Sequence, residues 1–186
     1  LATELAGSDY VMFLGDQMRL ERGALKSLIE VLDADPSASA VTPAVLDADG
    51  SVVHCGGWPE VDSATVTVEL SLDGEAGATG WVPTKGTLFR RSVLVQIPFA
   101  DELDPICQNV DWCLRLEEHM PGSLRRCPSA KVSAASSDAS QPGTSLAERA
   151  LAVRSLPSHA KFLATHGLLA AEPLLELIPA LRDPDG

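Results

Sequence analysis

The chain has 186 residues, 45% of them hydrophobic and 22% charged, so it is long enough for one globular domain with a buried core. Its formal net charge of -12 repels phosphate-rich surfaces, which argues against a general nucleic-acid or membrane-surface binder. Aromatic residues make up only 4% of the chain, so Val, Leu, Ala and Ile must form most of the core.

The four cysteines show neither a CxxC pair nor the spacing of metal ligands. Scattered thiols in a chain with a large core indicate reduced cysteines and a cytoplasmic location. There is no signal peptide and no apolar run of about 18 residues, so the sequence predicts no membrane span. Residues 1–6 resemble the end of a helix and no start methionine precedes them, which suggests a piece of a longer protein.

The first predicted strand covers residues 10–14 and ends in a polar turn, Gly15-Asp16-Gln17. Apolar residues then recur at helical spacing between residues 25 and 32, so a helix is predicted over residues 22–32. An apolar strand that delivers a carboxylate to the edge of an α/β sheet is a common way to build a ligand site. A core strand with a solvated turn explains the same residues.

A β-hairpin is predicted next, with strands over residues 40–46 and 51–54 and a turn between them. Pro43 predicts an edge position or a bulge in the first of these strands. Residues 60–80 alternate weakly and are rich in small side chains, which indicates a variable excursion containing one strand. A further strand is predicted over residues 81–91, where Gly86 would allow close approach of backbone or ligand.

The second half of the chain is predicted to be mainly helical. Asn109 is a plausible N-cap for a helix over residues 110–119, after a loop that carries three acids. The remaining predicted elements are a helical turn over residues 92–96, a strand over 124–132, a flexible Ser/Ala/Gly-rich loop over 133–144 and helices over 145–166 and 171–181. The predicted class is α/β, with a mixed sheet, flanking helices and a C-terminal helical extension over residues 145–186.

The order of these motifs resembles the family 2 glycosyltransferases, which are nucleotide-sugar enzymes with a GT-A fold. The matching segments are the acidic strand end, the V-x-P-x-V-x-D-x-D-G-x-V hairpin, the G-x-L-F-R-R strand ending at Arg90-Arg91, and the V-D-W-C-L-R-L helix. The resemblance implies that residues 1–132 form a glycosyltransferase-like domain. It also implies that the nucleotide-binding strands of the family would precede Leu1.

The resemblance implies a metal motif at the strand end, usually Asp-x-Asp, that holds Mg²⁺ or Mn²⁺ on the diphosphate of the sugar donor. This chain has Gly15-Asp16-Gln17 there, so Asp16 and Gln17 are the candidate metal ligands and both flanking carboxylates are missing. The family also carries a Glu-Asp pair with the general base, where this chain has Gln108-Asn109. The family's His after the final strand has no counterpart near residues 132–134.

Asp101, from the acidic loop, and Asp111 are the candidate catalytic residues; Glu102 and Asp104 are alternatives from the same loop. Asp111 would orient the helix start near the acceptor, or would act as a first-turn acid that pairs with Arg115 four residues later.

Lys85 and Arg115 are the candidate phosphate-binding residues, although a solvated strand end also explains Lys85. Trp58 and Trp112 are the candidate sugar- or acceptor-binding residues. Trp58 lies beside two glycines and a proline and is the better candidate for an exposed sugar platform. Core packing is the alternative for Trp112 and for Trp81.

Two functions follow from these residues, beside the possibility that the chain is a plain fragment whose missing half holds the informative residues. The chain transfers a sugar from a nucleotide-sugar donor to a glycan or another hydroxyl acceptor, or it is a non-catalytic glycosyltransferase-like module. Such a module would bind a glycan or a partner protein, or assemble with the remainder of a longer chain. The substitutions at Gly15-Asp16-Gln17 and Gln108-Asn109 favour the module.

Overall fold

The computed structural model describes residues 7–61, 66–72, 74–103, 105–134, 162 and 165–166. Within these ranges the chain forms nine strands and three helices. The strands are β1 (Tyr10–Met12), β2 (Met18–Leu20), β3 (Ala40–Leu46), β4 (Val52–His54), β5 (Gly57–Val61), β6 (Val66–Leu70), β7 (Gly77–Ala78), β8 (Leu88–Arg90) and β9 (Leu124–Ala134). The helices are α1 (Ala24–Ala34), α2 (Arg91–Gln96) and α3 (Pro105–His119).

The main sheet is mixed. Its strand order is β1-β8-β3-β9-β2, with β4 paired to β3 and β7 paired to β9. β3 and β9 run parallel, whereas the other strand pairs are antiparallel. β5 and β6 form a separate antiparallel hairpin. This mixed α/β architecture with flanking helices confirms the predicted fold class.

Different helices cover the two faces of the sheet. Successive strand residues point to opposite faces, and Ala40 and Val41 of β3 accordingly belong to two different core clusters. Ala40 lies in the cluster that contains Phe89 and the buried face of α3. Val41 lies in the cluster that contains Leu88 and the buried face of α1. The sheet is therefore the middle layer between α1 and α3.

β3 lies inside the sheet and all seven of its residues are buried. The predicted bulge at Pro43 is confirmed, because the register with β9 shifts between Pro43 and Ala44. Proline has no N–H to donate to a neighbouring strand, so a ladder that contains it must be interrupted there. The predicted alternative of an edge strand is wrong, since β3 has partners on both sides.

Arg90 fastens the end of α1 to the sheet. Its Nε donates to the carbonyl of Ala38 at 2.7 Å, and its Nη2 donates to the carbonyls of Leu32 and, at 3.2 Å, Asp35. Carbonyls in the last turn of a helix lack partners within the helix, so a guanidinium there satisfies them. Arg90, the first of the two arginines that end the G-x-L-F-R-R motif, thus has a structural role.

Asp35 links the same corner to β9. Its Oδ2 accepts from Nε of Arg125 at 2.9 Å and from Nη2 at 2.7 Å. Hydrogen bonds from Ser37 and from the Arg125 guanidinium lower the pKa of the Asp35 carboxyl. The helix therefore ends in a charged contact that holds it against the longest strand.

Further sequence predictions differ from the structure. Residues 60–80 do not hold one strand, because β5, β6 and β7 together span residues 57–78. The strand predicted over residues 81–91 forms only at β8. The third helix begins at Pro105 and not after Asn109, since proline suits the first turn of a helix. Asn109 consequently lies inside α3.

Other predictions fall partly or wholly outside the described residues. β9 extends through Ala134, so residues 133 and 134 belong to a strand and not to the predicted flexible loop. Residues 135–144 and the helical extension are not described, apart from Phe162, Thr165 and His166. Phe162 is fully buried in the core cluster that contains Phe89 and the buried face of α3. At least one side chain of the extension therefore packs into the main core.

All four cysteines are buried and none of them forms a disulfide, namely Cys55, Cys107, Cys113 and Cys127. Burial raises the pKa of Cys113 to about 12, so its thiol stays protonated. In the part of the chain that the structure describes, no helix has the length and apolar character needed to cross a membrane.

Candidate functional site

The end of β1 lies beside Lys85 and Gly86. Phe13 and Lys85 form a parallel β-bridge, and the amide of Gly86 donates to the carbonyl of Phe13 at 2.8 Å. The chain then turns at Gly15-Asp16-Gln17, where the amide of Met18 donates to the carbonyl of Gly15 at 3.0 Å. We call Gly15, Asp16, Gln17, Lys85 and Gly86 the strand-end cluster.

Two side chains occupy the space beside Gly15. A Cβ at this position would lie 3.4 Å from Cγ of Met18 and 3.5 Å from Cδ of Lys85. The Met18 methyl also covers Gly86, whose φ of +87° is a backbone conformation that favours glycine. A carboxylate at position 15 would therefore have to share this space with a thioether and with the stem of a lysine.

The strand-end cluster does not suit a divalent cation. Asp16 and Gln17 are exposed in the turn and offer one carboxylate and one neutral amide, with the Lys85 chain alongside. Mg²⁺ and Mn²⁺ are held by several hard oxygen ligands, and a neighbouring ammonium opposes their charge. Among the described residues there is no group of three or more His, Cys, Asp or Glu side chains that could hold a metal ion.

Asn109 occupies the position where the resemblance places the general base. It is only 5% exposed, and its Nδ2 donates to the carbonyl of Val82 at 2.9 Å and to the hydroxyl of Thr84 at 3.1 Å. An amide nitrogen has no lone pair for a proton at neutral pH. Asn109 thus fastens α3 to the segment that leads to Lys85.

Gln108 holds the acidic loop against α3. Its Nε2 donates to the carbonyl of Ala100 at 2.8 Å. Asp101, the next residue, is exposed. The predicted loop carboxylate therefore lies near the position of the family's acidic pair, but on the solvent side of the loop.

Asp111 lies in the middle of α3 and is 2% exposed. It is therefore not a first-turn acid as predicted. Its Oδ2 accepts from Arg115 Nη2 at 2.7 Å and Nε at 2.8 Å, and its Oδ1 lies 3.1 Å from Nε2 of His166. The predicted pairing with Arg115 is confirmed. Arg115 also donates to the carbonyl of Pro98 at 2.8 Å, so both residues serve to connect elements.

The contacts that His166 and Phe162 make were not predicted from the sequence. His166 lies beside Asp111, and its ring lies 4.7 Å from the Phe162 ring between centroids, with the two planes tilted by 45°. No spacing pattern links residues that lie 55 positions apart.

Trp112 is fully buried in the core. Its Nε1 donates to the carbonyl of Ile97 at 2.7 Å, and its ring lies 5.3 Å from Phe89 and 5.4 Å from Phe99 between centroids. These contacts match the alternative expectation that Trp112 packs in the core. Trp81 is also buried, at 4% exposure, and packs edge-on against His54.

Trp58, in contrast, is 51% exposed on the β5–β6 hairpin. Its ring covers Gly80 so closely that a Cβ there would lie 2.5 Å from Cε3 of the indole. Thr79 stiffens the support, because its hydroxyl accepts from the amide of Gly57 at 2.9 Å and donates to the carbonyl of Gly57 at 2.8 Å. One side of the indole is therefore held by backbone while the rest reaches solvent.

The segment from Thr79 to Lys85 connects these features. Gly80 supports Trp58, Val82 and Thr84 accept from Asn109, and Lys85 lies against Gly15. The six residue-to-residue steps from Thr79 to Lys85 span at most about 22 Å when the chain is extended. The exposed indole and the strand-end cluster therefore lie within the length of one extended ligand.

No protein-family model matches the sequence, and no curated protein matches it either. Among solved structures, the chain is similar to a glycosyltransferase, which indicates the class of fold. That structure is the crystal structure of GalNAc-T7 with UDP, GalNAc and Mn²⁺, at a TM-score of 0.57 and 11% sequence identity. The match covers 87% of this chain and 33% of the other, so this chain spans about a third of that protein.

At this identity the likeness concerns the fold alone. It agrees with the predicted GT-A-like architecture, in which a mixed sheet carries helices on its faces. The chain therefore has a GT-A-like fold.

Replacing the buried carboxylate tests the contacts of Asp111. We expect Asp111→Asn to lower the free energy of unfolding by about 2 kcal/mol, below the ~3–5 kcal/mol of a fully buried pair because Arg115 reaches solvent. Urea denaturation measures the difference, and Glu118→Gln on the exposed face of α3 is the matched control. An Asp111→Asn protein as stable as the control would contradict the structural role.

Proposed function

We propose that this chain is a glycosyltransferase-like module that binds a carbohydrate and does not itself transfer a sugar. The observation that carries the proposal is the state of Asn109. Transfer to a hydroxyl acceptor requires a group that takes the hydroxyl proton. At the position of that group, this chain has a buried amide whose two hydrogen bonds are both donated.

The nearby Asp111 does not replace the missing base. Its carboxylate is almost fully buried and faces Arg115 and His166. Both of its carboxylate oxygens are already engaged by these two side chains, so an acceptor hydroxyl would have to displace one of them. Its contacts support a role in joining α3 to residues 98 and 166.

The metal-binding residues point in the same direction. The similar structure of GalNAc-T7 contains Mn²⁺ and UDP. A bound cation in such enzymes offsets the charge of the leaving diphosphate. Gly15 and Gln17 provide no charge for this purpose, and the single carboxylate of Asp16 is a poor divalent site.

Trp58 supports carbohydrate as the ligand. Aromatic side chains that are exposed and held rigidly provide large apolar contact at small entropic cost. Trp58 is half exposed, its ring is supported by Gly80, and Glu69 is its exposed cross-strand neighbour. An indole beside a carboxylate offers an apolar face for the ring of a sugar and an acceptor for its hydroxyls.

Carbohydrate binding is tested on an array of immobilised glycans with the 186-residue chain. We expect the wild-type chain to bind at least one glycan class and Trp58→Ala to weaken that binding by about tenfold, since lost stacking and contact area are worth roughly 1.4 kcal/mol. Leu72→Ala, at a 62% exposed position after the same hairpin, is the matched control. Absence of glycan binding by the wild-type chain, or equal binding by Trp58→Ala, would contradict the proposal.

Sugar transfer with Asp101 as the base is the second candidate function. Asp101 follows Ala100, whose carbonyl is held by Gln108, so an exposed carboxylate lies next to the position of the family's acidic pair. This arrangement would let an acceptor hydroxyl approach from solvent.

Release of nucleoside diphosphate distinguishes the two functions. With UDP-, GDP- and dTDP-sugars, Mn²⁺ and mixed glycan acceptors, we expect release no faster than in buffer. Coupled enzymatic detection of the diphosphate measures it. Release above buffer that disappears in Asp101→Asn but persists in Glu118→Gln would establish transfer and refute the non-catalytic module.

A further inference from the structure

The outward face of the β5–β6 hairpin places an indole beside a carboxylate. Trp58 and Glu69 are direct partners in the register of the two strands, so their side chains lie on the same face. We propose that this pair selects sugars that carry a free, protonated amine, and that Glu69 sets this specificity. The proposal rests on the proposed function, since it names the class of sugar that the Trp58 site takes.

Close packing of the two strands fixes the pair. A Cβ at Gly57 would lie 2.5 Å from the carbonyl oxygen of Glu69 and 2.8 Å from Cγ1 of Val68, so glycine is needed for this approach. Val68 and Leu70 lie on the other face and pack against the core cluster on the α3 side of the sheet. The face with Trp58 and Glu69 is therefore turned away from the core, and the Cβ atoms of such a pair lie about 5 Å apart.

Glu69 has no basic partner in the part of the chain that the structure describes. Its side chain is exposed, and the ion pairs among the described residues join other groups. An ionised carboxylate only accepts hydrogen bonds, and those from a charged donor are the strongest. The net charge of -12 adds a general attraction for cations and repels acidic sugars. A ligand that brings a positive charge therefore fits this place better than a neutral or acidic one.

The indole favours the same ligand. A cation near the face of a tryptophan ring is attracted by the negative potential of that face. Trp58 is the one aromatic side chain that is exposed among the described residues, and Gly80 covers part of its ring. A single open indole surface suits stacking of a sugar ring, whereas quaternary ammonium ligands are held in cages of several aromatic side chains. An amino sugar combines the stacking ring with the charge that Glu69 accepts.

Trimers of glucosamine and of N-acetylglucosamine are matched probes, because they share the sugar ring and differ in the charge of one substituent. Isothermal titration of the 186-residue chain measures both affinities. We expect the glucosamine trimer to bind about tenfold more tightly at low salt, from one exposed ion pair and one exposed cation–π contact. The preference is expected to shrink as salt is raised, and a galacturonic acid trimer is expected to bind more weakly than either.

Substitution of Glu69 gives the decisive comparison. Glu69→Gln is expected to reduce the preference for the amine from about tenfold to about twofold, while the affinity for the N-acetylglucosamine trimer changes less than about twofold. Glu69→Asp keeps the charge and is expected to keep most of the preference. Glu118→Gln removes an exposed carboxylate of α3 and is the matched control for net charge. Trp58→Ala is expected to weaken both trimers about tenfold.

Three results would overturn the amine preference and leave the proposed function intact, provided that glycan binding still depends on Trp58. They are equal affinity of the wild-type chain for the two trimers, a preference that is unchanged in Glu69→Gln, and a preference that is lost to the same extent in Glu118→Gln. Binding of other arrayed glycans but of neither trimer would also overturn it. Absence of binding to the trimers and to every arrayed glycan would overturn the proposed function as well.

Discussion

The parallel pairing of β3 with β9 is the constraint on which the rest of the fold depends. β3 is buried along its whole length, so both of its faces must be covered and both of its edges paired. Ala40 packs in the cluster with α3 and Val41 in the cluster with α1, so the two helices lie on opposite faces of the sheet. β1 joins the same sheet by pairing with β8. The position of Lys85 follows, because the segment before β8 must run beside the end of β1.

The fold is GT-A-like, but the residues at the candidate metal and base positions differ from those that a metal-dependent transferase needs. The side chains of Met18 and Lys85 occupy the space beside Gly15, and the side-chain amide of Asn109 donates to the backbone carbonyl of Val82. Each exchange removes a negative charge from a place where catalysis needs one. The fold does not depend on these negative charges, since the buried clusters on the two faces of the sheet stabilise it.

The fold was predictable where one short-range rule dominated. The bounds of β3 and the bulge at Pro43 follow from a short apolar run and from the chemistry of proline. The hairpin of β5 and β6 was missed because small side chains give a weak alternation signal. The start of α3 was missed because Asn109 resembles an N-cap, whereas its side chain bonds a distant segment. The substituted positions of the site followed from motif order, but the contact between Asp111 and His166 follows only from tertiary packing.

The most direct test of the account is whether the protein holds a divalent cation. Electron paramagnetic resonance of Mn²⁺ reports the free ion through its six-line spectrum, and the chain is added with and without UDP. We predict that the chain removes no free Mn²⁺ beyond the amount that UDP removes alone. A further loss of signal that depends on the chain and is abolished by Asp16→Ala would contradict the account.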